Sequence, residues 1–267
     1  MAFFRFALVV VVACTLSGCI NSASLVRIKP DGSGTIEQTL LVNTATLKGL
    51  MAGMGAQGQV KETPGVLTEA EFKRTAERMG VKPVSLTPLK EGGFEGAKAI
   101  FAFDDISKVR LDQDPQLGDS SPGTFAKATT SKTPIKFGFA KQGSSSVLTI
   151  TVDEQTAAPG TKPDPSTPPQ KIDPAMMQMV KTMFQGFKVG VDLEVEGKIV
   201  KTNADYVNGS RITLLEIELA GLFEDEAKLK ALQSKFGPGT TLSEIRPFLK
   251  DVKGVKINNP NLTIEYR

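Results

Sequence analysis

Both cysteines of this 267-residue chain, Cys14 and Cys19, lie among its first nineteen residues. Whatever folds downstream has no disulfide to close a loop and stands on packing alone. The segment around them is itself distinctive. Arg5 precedes an unbroken run of apolar or small residues from Phe6 to Leu16. Such a run, at ~1.5 Å per residue, reaches about half of the ~30 Å hydrocarbon core of a bilayer. It is too short for a transmembrane helix and predicts a cleaved leader over residues 1–18.

The leader ends in Leu16-Ser17-Gly18-Cys19. Leu three residues before a Cys, with two small residues between, is the lipobox pattern, and in it the chain resembles bacterial lipoproteins. The resemblance implies a diacylglyceryl thioether on Cys19, cleavage just before it, and a lipidated tether over residues 19–24. Acyl burial supplies ~0.8 kcal/mol per CH₂; one chain anchors marginally, and two or three hold stably. The expected partner is therefore a membrane, reached through the acyl chains on Cys19, and the expected location is the cell envelope, outside the cytoplasm. Ile20 follows Cys19. An Asp there commonly retains lipoproteins in the inner of two membranes, so the outer membrane is expected where one exists.

Removing residues 1–18 leaves 249, enough for a sizeable core. The mature chain carries 31 basic and 29 acidic residues, a net charge of +2. They are interleaved, and no nucleic-acid partner is implied. Histidine and tryptophan are absent. Without His or a free Cys, most Ser/His, Cys/His and zinc chemistries are closed. The expectation is a protein that is not an enzyme and holds no cofactor and no metal.

Along the mature chain, Leu25–Lys29 and Thr35–Val42 predict a hairpin across Asp31-Gly32-Ser33-Gly34. Residues 44–54 could begin a helix that Gly49 and Gly53 loosen. Thr68 and Glu71 form a T-x-x-E capping box, with Leu67 and Phe72 spaced as a hydrophobic staple and Gly80 as the stop, so 68–79 predicts a helix. The prolines at 83 and 88 make 81–89 an edge strand. Residues 94–103 read as a strand. Asp104 or Asp105 caps a short helix toward Leu111. Ile135, Phe137 and Phe139, with the return at 147–152, form a second hairpin.

Residues 155–172 are rich in proline and read as an excursion. Asp173-Pro174 starts a helix running to about Phe184. From 187 to 196 apolar and polar residues alternate strictly, as in an antiparallel strand with one wet face. Asn208-Gly209 is a tight turn. Helices are read at 223–235 and, bent at Pro247, at 243–252; 261–267 reads as a last strand. The fold class expected is α+β: a mainly antiparallel sheet of hairpins with four to five packing helices, in one domain over 25–267.

Cys19 is the one strong site, since its thiol must accept the diacylglyceryl group. The helix at 173–184 carries Met176, Met177, Met179 and Met183 with Val180 and Phe184, half of the chain's eight methionines. Unbranched, polarizable methionine adapts to varied apolar partners, so these six residues are a candidate ligand-binding wall; a helix packed on the sheet explains them as well. Asp104-Asp105 is explained by a cap, because neighbouring strand residues point apart. Asp112, Asp114 and Asp119 miss the spacing of a calcium loop.

The segments at 26–42, 94–106 and 195–219, the last combining Gly-Lys-Ile-Val-x-Thr-Asn-Ala with an Asn-Gly turn, are similar to bacterial lipoproteins related to the mycobacterial LppM type, an LppM-like domain. The resemblance covers about a third of the chain and implies a lipid-anchored, extracytoplasmic α+β domain; lipid or glycolipid binding is associated with the mycobacterial members. The function expected is a membrane-anchored lipoprotein with a non-catalytic binding or scaffold domain for an envelope protein or an apolar lipid, the protein partner ranked slightly higher. An internal apolar cavity would favour the lipid; a filled core with an exposed patch would favour the scaffold. The alternative is a carboxylate-dependent hydrolase of envelope glycans, needing two carboxylates converging across a cleft.

Overall fold

A computed structural model describes residues 20–46, 67–112, 134–152, 186–218, 220–221, 227 and 242–267. Among the described residues, thirteen strands make two sheets. The first eight strands in chain order are β1 (Ile20–Ile28), β2 (Gly34–Asn43), β3 (Lys82–Glu91), β4 (Phe94–Phe103), β5 (Leu111–Asp112), β6 (Pro134–Gln142), β7 (Ser145–Val152) and β8 (Lys188–Val195). Then come β9 (Ile199–Thr202), β10 (Val207–Asn208), β11 (Arg211–Glu218), β12 (Val255–Ile257) and β13 (Asn261–Tyr266). The larger sheet runs β10-β11-β8-β1-β2-β4-β3, with β12 also on β11; the smaller runs β5-β6-β7-β13-β9. All pairings are antiparallel except that of β1 with β8, at the centre of the larger sheet.

Strands hold 58% of the described residues, and this overturns the expected α+β class with four to five packing helices. Two helices longer than a turn are described, α1 (Glu69–Met79) and α2 (Leu242–Leu249), the second with Pro247 inside it. Residues 44–46 are helical, with the Asn43 side chain accepting from Thr46 N–H, and residues 47–54 of the helix expected there lie outside the described residues. The helix expected after Asp105 is a 3-10 turn, Ile106–Lys108. Its backbone is claimed from elsewhere: Ile106 N–H donates to the Gly32 carbonyl and Arg110 N–H to Met79. Leu111 then enters β5, leaving no length for an α-helix. The helix expected at 173–184 and the excursion at 155–172 lie outside the described residues, as does the helix expected at 223–235 except for residue 227, which is helical. β1 also takes in residues 20–24, which were assigned to a tether.

Other expectations hold locally. Thr68 and Glu71 make the reciprocal capping box of α1, and Gly80 closes it at a φ of 71°. β3, carrying Pro83 and Pro88, is an edge strand. The face of α1 bearing Phe72, Ala76 and Met79 is buried on the larger sheet, with the Phe72 and Phe101 rings 4.9 Å apart.

The two sheets share one core. Val26, Ile28, Ile36, Phe101, Phe103, Leu193, Val195 and Ile212 from the larger sheet meet Phe137, Leu148, Ile150, Ile264 and Tyr266 from the smaller. A seam of hydrogen bonds locks them at the β1–β2 turn. The buried Tyr266 hydroxyl donates to the Lys29 carbonyl at 2.9 Å, and Ser146 Oγ donates to the Pro30 carbonyl at 2.7 Å. The turn is shaped by Asp31, whose carboxylate accepts from the Ser33 hydroxyl and N–H. Gly32 sits at φ 85°, where a Cβ would lie 2.8 Å from the Phe139 ring. Beyond β8 the chain crosses to the smaller sheet at Gly197, and Lys198 and Arg267 exchange backbone hydrogen bonds there.

The outer face of the larger sheet is wet. Glu194, Arg27, Glu37 and Lys98 form a row of ion pairs across β8, β1, β2 and β4. The Lys98 ammonium above all, helped by Arg27, holds the Glu37 carboxyl below its ordinary value near 4.5, with partial burial opposing. A carboxyl depressed by folding stabilises above its unfolded value, and that contribution disappears as pH falls through the folded value. Glu37→Gln should therefore show a shallower loss of stability below about pH 4.5 than the parent, measured by denaturant unfolding across the acid range.

Burial, then the nearby charge of Asp31, push the Tyr266 phenol up from 10.0 to about 12. A phenol raised by folding stabilises below its unfolded value and loses that contribution as pH rises through the folded one. Tyr266→Phe should cost about 1 kcal/mol at neutral pH through the lost hydrogen bond. Its unfolding free energy should then fall less steeply than the parent's between pH 10 and about 12.

Candidate functional site

Side chains facing the core change character along the strands. On β1, Val26 and Ile28 near the seam are fully buried, while Ser24 and Ser22, two and four residues further out on the same face, are only half-buried. β4 presents Phe101 and Phe103 near the seam and Ala97 and Ala99 away from it, in register with Gln38 and Leu40 of β2. β8 does the same, with Leu193 and Val195 at one end and half-buried Val189 and Val191 at the other. Large residues fill the sandwich at its locked end, and small or polar ones leave it unfilled at the other.

The result is a cavity of about 180 Å³ between the sheets. Ser22, Ser24, Gln38, Leu40, Ala97 and Val191 are among the residues of the larger sheet that line it. The smaller sheet contributes Leu111, Ile135, Ile150, Val152 and Leu262, and α1 contributes Thr75, Arg78 and Met79. An apolar void of ~150 Å³ holds benzene, whereas sites for drug-sized ligands start near ~300 Å³. This cavity has room for a stretch of one hydrocarbon chain and not for a whole lipid.

Its polar groups divide into two sets. Asn258 is spent on structure: its side-chain oxygen accepts from the Asp205 and Asn259 N–H groups and its amide donates to Thr213. Ser22, Ser24 and Gln38 have no side-chain hydrogen-bond partner among the described residues. Arg78 is exposed and donates one long bond, 3.4 Å, to the Thr75 hydroxyl.

The carboxylates singled out in the sequence do not meet at this cavity. Asp104 pairs with Lys82 at 2.6 Å. Asp105 caps the 3-10 turn, and its carboxyl is held low chiefly by the Ser107 hydroxyl and N–H. No Asp or Glu lines the cavity among the described residues. Cys19 and the six residues of the methionine-rich segment, Met176, Met177, Met179, Val180, Met183 and Phe184, lie outside the described residues. Asp114 and Asp119 do as well. Sequence reasoning missed the cavity. Its signal was the run Ile20-Asn21-Ser22-Ala23-Ser24, where the apolar alternation of β1 lapses on the face that Val26 and Ile28 continue.

Neither a family model nor a curated protein matches the chain. Among solved structures it is similar to the NMR structure of the folded domain of the LppM protein of Mycobacterium tuberculosis. The identity is 10%, over 94% of this chain and 90% of that one, with a TM-score of 0.37. This is a weak, fold-level likeness, and nothing about ligand or partner passes from it to this chain. The three segments in which the sequence resembles that type fall on the β1–β2 hairpin, on β4 with the start of the 3-10 turn, and on the stretch from the end of β8 past β11.

Ala97 lines the space between the sheets, so Ala97→Leu should fill it. The variant should keep its unfolding free energy within about 1 kcal/mol, whereas overpacking a filled core costs ~1–3 kcal/mol. Xenon-induced chemical shifts at Ile150 and Leu262 should vanish in the variant and persist in the parent. A destabilisation on the scale of a filled core would refute the cavity.

Proposed function

We propose that this chain is an extracytoplasmic lipoprotein of the bacterial envelope, fastened to its membrane by acyl chains on Cys19, whose two-sheet domain binds an apolar ligand without catalysis. The observation that carries the ligand class is the cavity, with its largely aliphatic walls and its volume suited to part of one acyl chain. A filled core would have favoured the scaffold role, so the lipid now ranks above a protein partner. The exposed large apolar residues Val84, Val200, Val207 and Phe248 sit on β3, β9, β10 and α2. β3 and β10 are opposite edges of one sheet, which makes a poor case for a single docking patch among the described residues.

The anchor and the cavity are close in this reading. β1 begins at Ile20, one residue after Cys19. Ser22, on the cavity wall, is three residues from the acylated position, roughly 10 Å along an extended strand. A domain held on so short a lead keeps this end of its sandwich near the bilayer, where exchange of an acyl chain crosses little water. Among the described residues no helix is long and apolar enough to cross a membrane; attachment here is assigned to the thioether.

Two measurements test the proposal. Cys19→Ala should leave the leader uncleaved or release the protein from the membrane fraction, while the parent yields an acylated N-terminal peptide by mass spectrometry. Parent protein extracted from membranes should carry a recurrent single-chain or diacyl lipid that survives washing, and Ala97→Leu should carry less of it. An unacylated native N-terminus overturns the anchor, and equal lipid in parent and Ala97→Leu overturns the binding role.

A further inference from the structure

Resting on the lipid-binding reading above, we propose that the ligand is a long-chain fatty acid, held as its carboxylate by Arg78 with part of its hydrocarbon chain between the sheets. The charge pattern of the cavity points there. Among the described lining residues Arg78 is the one charged side chain, and no acidic residue accompanies it. It makes no ion pair among the described residues, although Lys82, four residues further along the chain, has one. Its guanidinium has five N–H donors and spends one on Thr75. A free planar fork of this kind matches a carboxylate in two parallel bonds.

The remaining unpartnered groups agree in kind. Ser22, Ser24 and Gln38 lie on adjacent strands, Ser24 directly opposite Gln38, and all three present donors to the same space. An ionised carboxylate only accepts hydrogen bonds, so a wall with a cation, several donors and no anion suits it. A neutral alcohol of equal chain length would fill the same apolar volume and gain nothing from the guanidinium. Arg78 is exposed, while Leu40, Ile135, Ile150 and Leu262 line the same cavity, so the head lies at Arg78 and the chain against these aliphatic side chains.

The test uses the full-length chain in membranes. A palmitate analogue with a photoreactive diazirine in its chain, or the matching hexadecanol analogue, is added and irradiated, and cross-linked peptides are mapped by mass spectrometry. The acid should label peptides of β6, β7 or β2 well above the alcohol, and unlabelled palmitate should compete. Arg78→Ala should cut the preference for acid over alcohol by roughly tenfold, the scale of a charge-assisted hydrogen bond. Arg78→Lys should retain more of it. Equal labelling by acid and alcohol, or a preference untouched in Arg78→Ala, overturns the carboxylate assignment and leaves the apolar-ligand reading standing. No labelling of cavity peptides by either probe overturns both.

Discussion

Everything about this sandwich depends on what happens to the carbonyls of one hairpin turn. A turn between two strands ordinarily leaves its carbonyls to water. Here Lys29, Pro30 and Gly32 give theirs to Tyr266, Ser146 and Ile106, three donors from the smaller sheet and the 3-10 turn. The Tyr266 ring is itself buried in the shared core, so the same side chain fills the interior and ties its far edge. Gly32 allows the contact to be close, because any Cβ there would press into the Phe139 ring. The crossing at Gly197 lies in the same region, with Glu196 donating to Ile28 and Lys198 bonded to Arg267. The sheets are thus held together at one end by directional bonds and side chains at core density.

At the other end the sheets are joined, among the described residues, through the crossing from β12 to β13, where Asn258 bonds Thr213 and Leu214 and Asn259 bonds Asn203, and the side chains lining the cavity do not fill the gap. The taper is written strand by strand: alanine against phenylalanine on β4, serine against valine and isoleucine on β1. Interiors pack to crystal-like density when side-chain volumes allow it. With small residues at corresponding positions on neighbouring strands, no rearrangement of side chains closes the space, and backbone closure is resisted by the seam. The cavity is therefore a consequence of the residues chosen at one end and the rigidity imposed at the other.

Much of the local structure was legible because its signals are local. The capping box at Thr68 and Glu71 satisfies its donors within one turn, and the prolines of β3 exclude a central position whatever surrounds them. The two early hairpins and the alternation of β8 were readable for the same reason. The order of strands was not, since the parallel pairing of β1 with β8 joins residues far apart in the chain and leaves no mark on either alone. The helix count was overestimated because a cap such as Asp105 announces a start and says nothing of length, and competing partners ended that helix after three residues. The site was missed because serine in a strand reads as weak patterning until its neighbours on β2 and β8 are known. Arg78, on the polar side of α1, reads as a solvated charge until a cavity is found beside it.

The inner face of the larger sheet breaks the rule that core-facing positions are apolar at three adjacent points, Ser22, Ser24 and Gln38. Polar groups buried without partners cost free energy, and no fully buried side-chain donor or acceptor among the described residues lacks a partner. These three escape that cost by being half-exposed to the cavity, where water or a ligand can serve them. Valine or leucine at these positions would pack better and close the space. A sequence that keeps small polar residues there, two turns of the pleat from a fully dry core, gives up stability it has the means to recover. Such local departures, in a chain otherwise consistent from cap to core, are where a binding role concentrates.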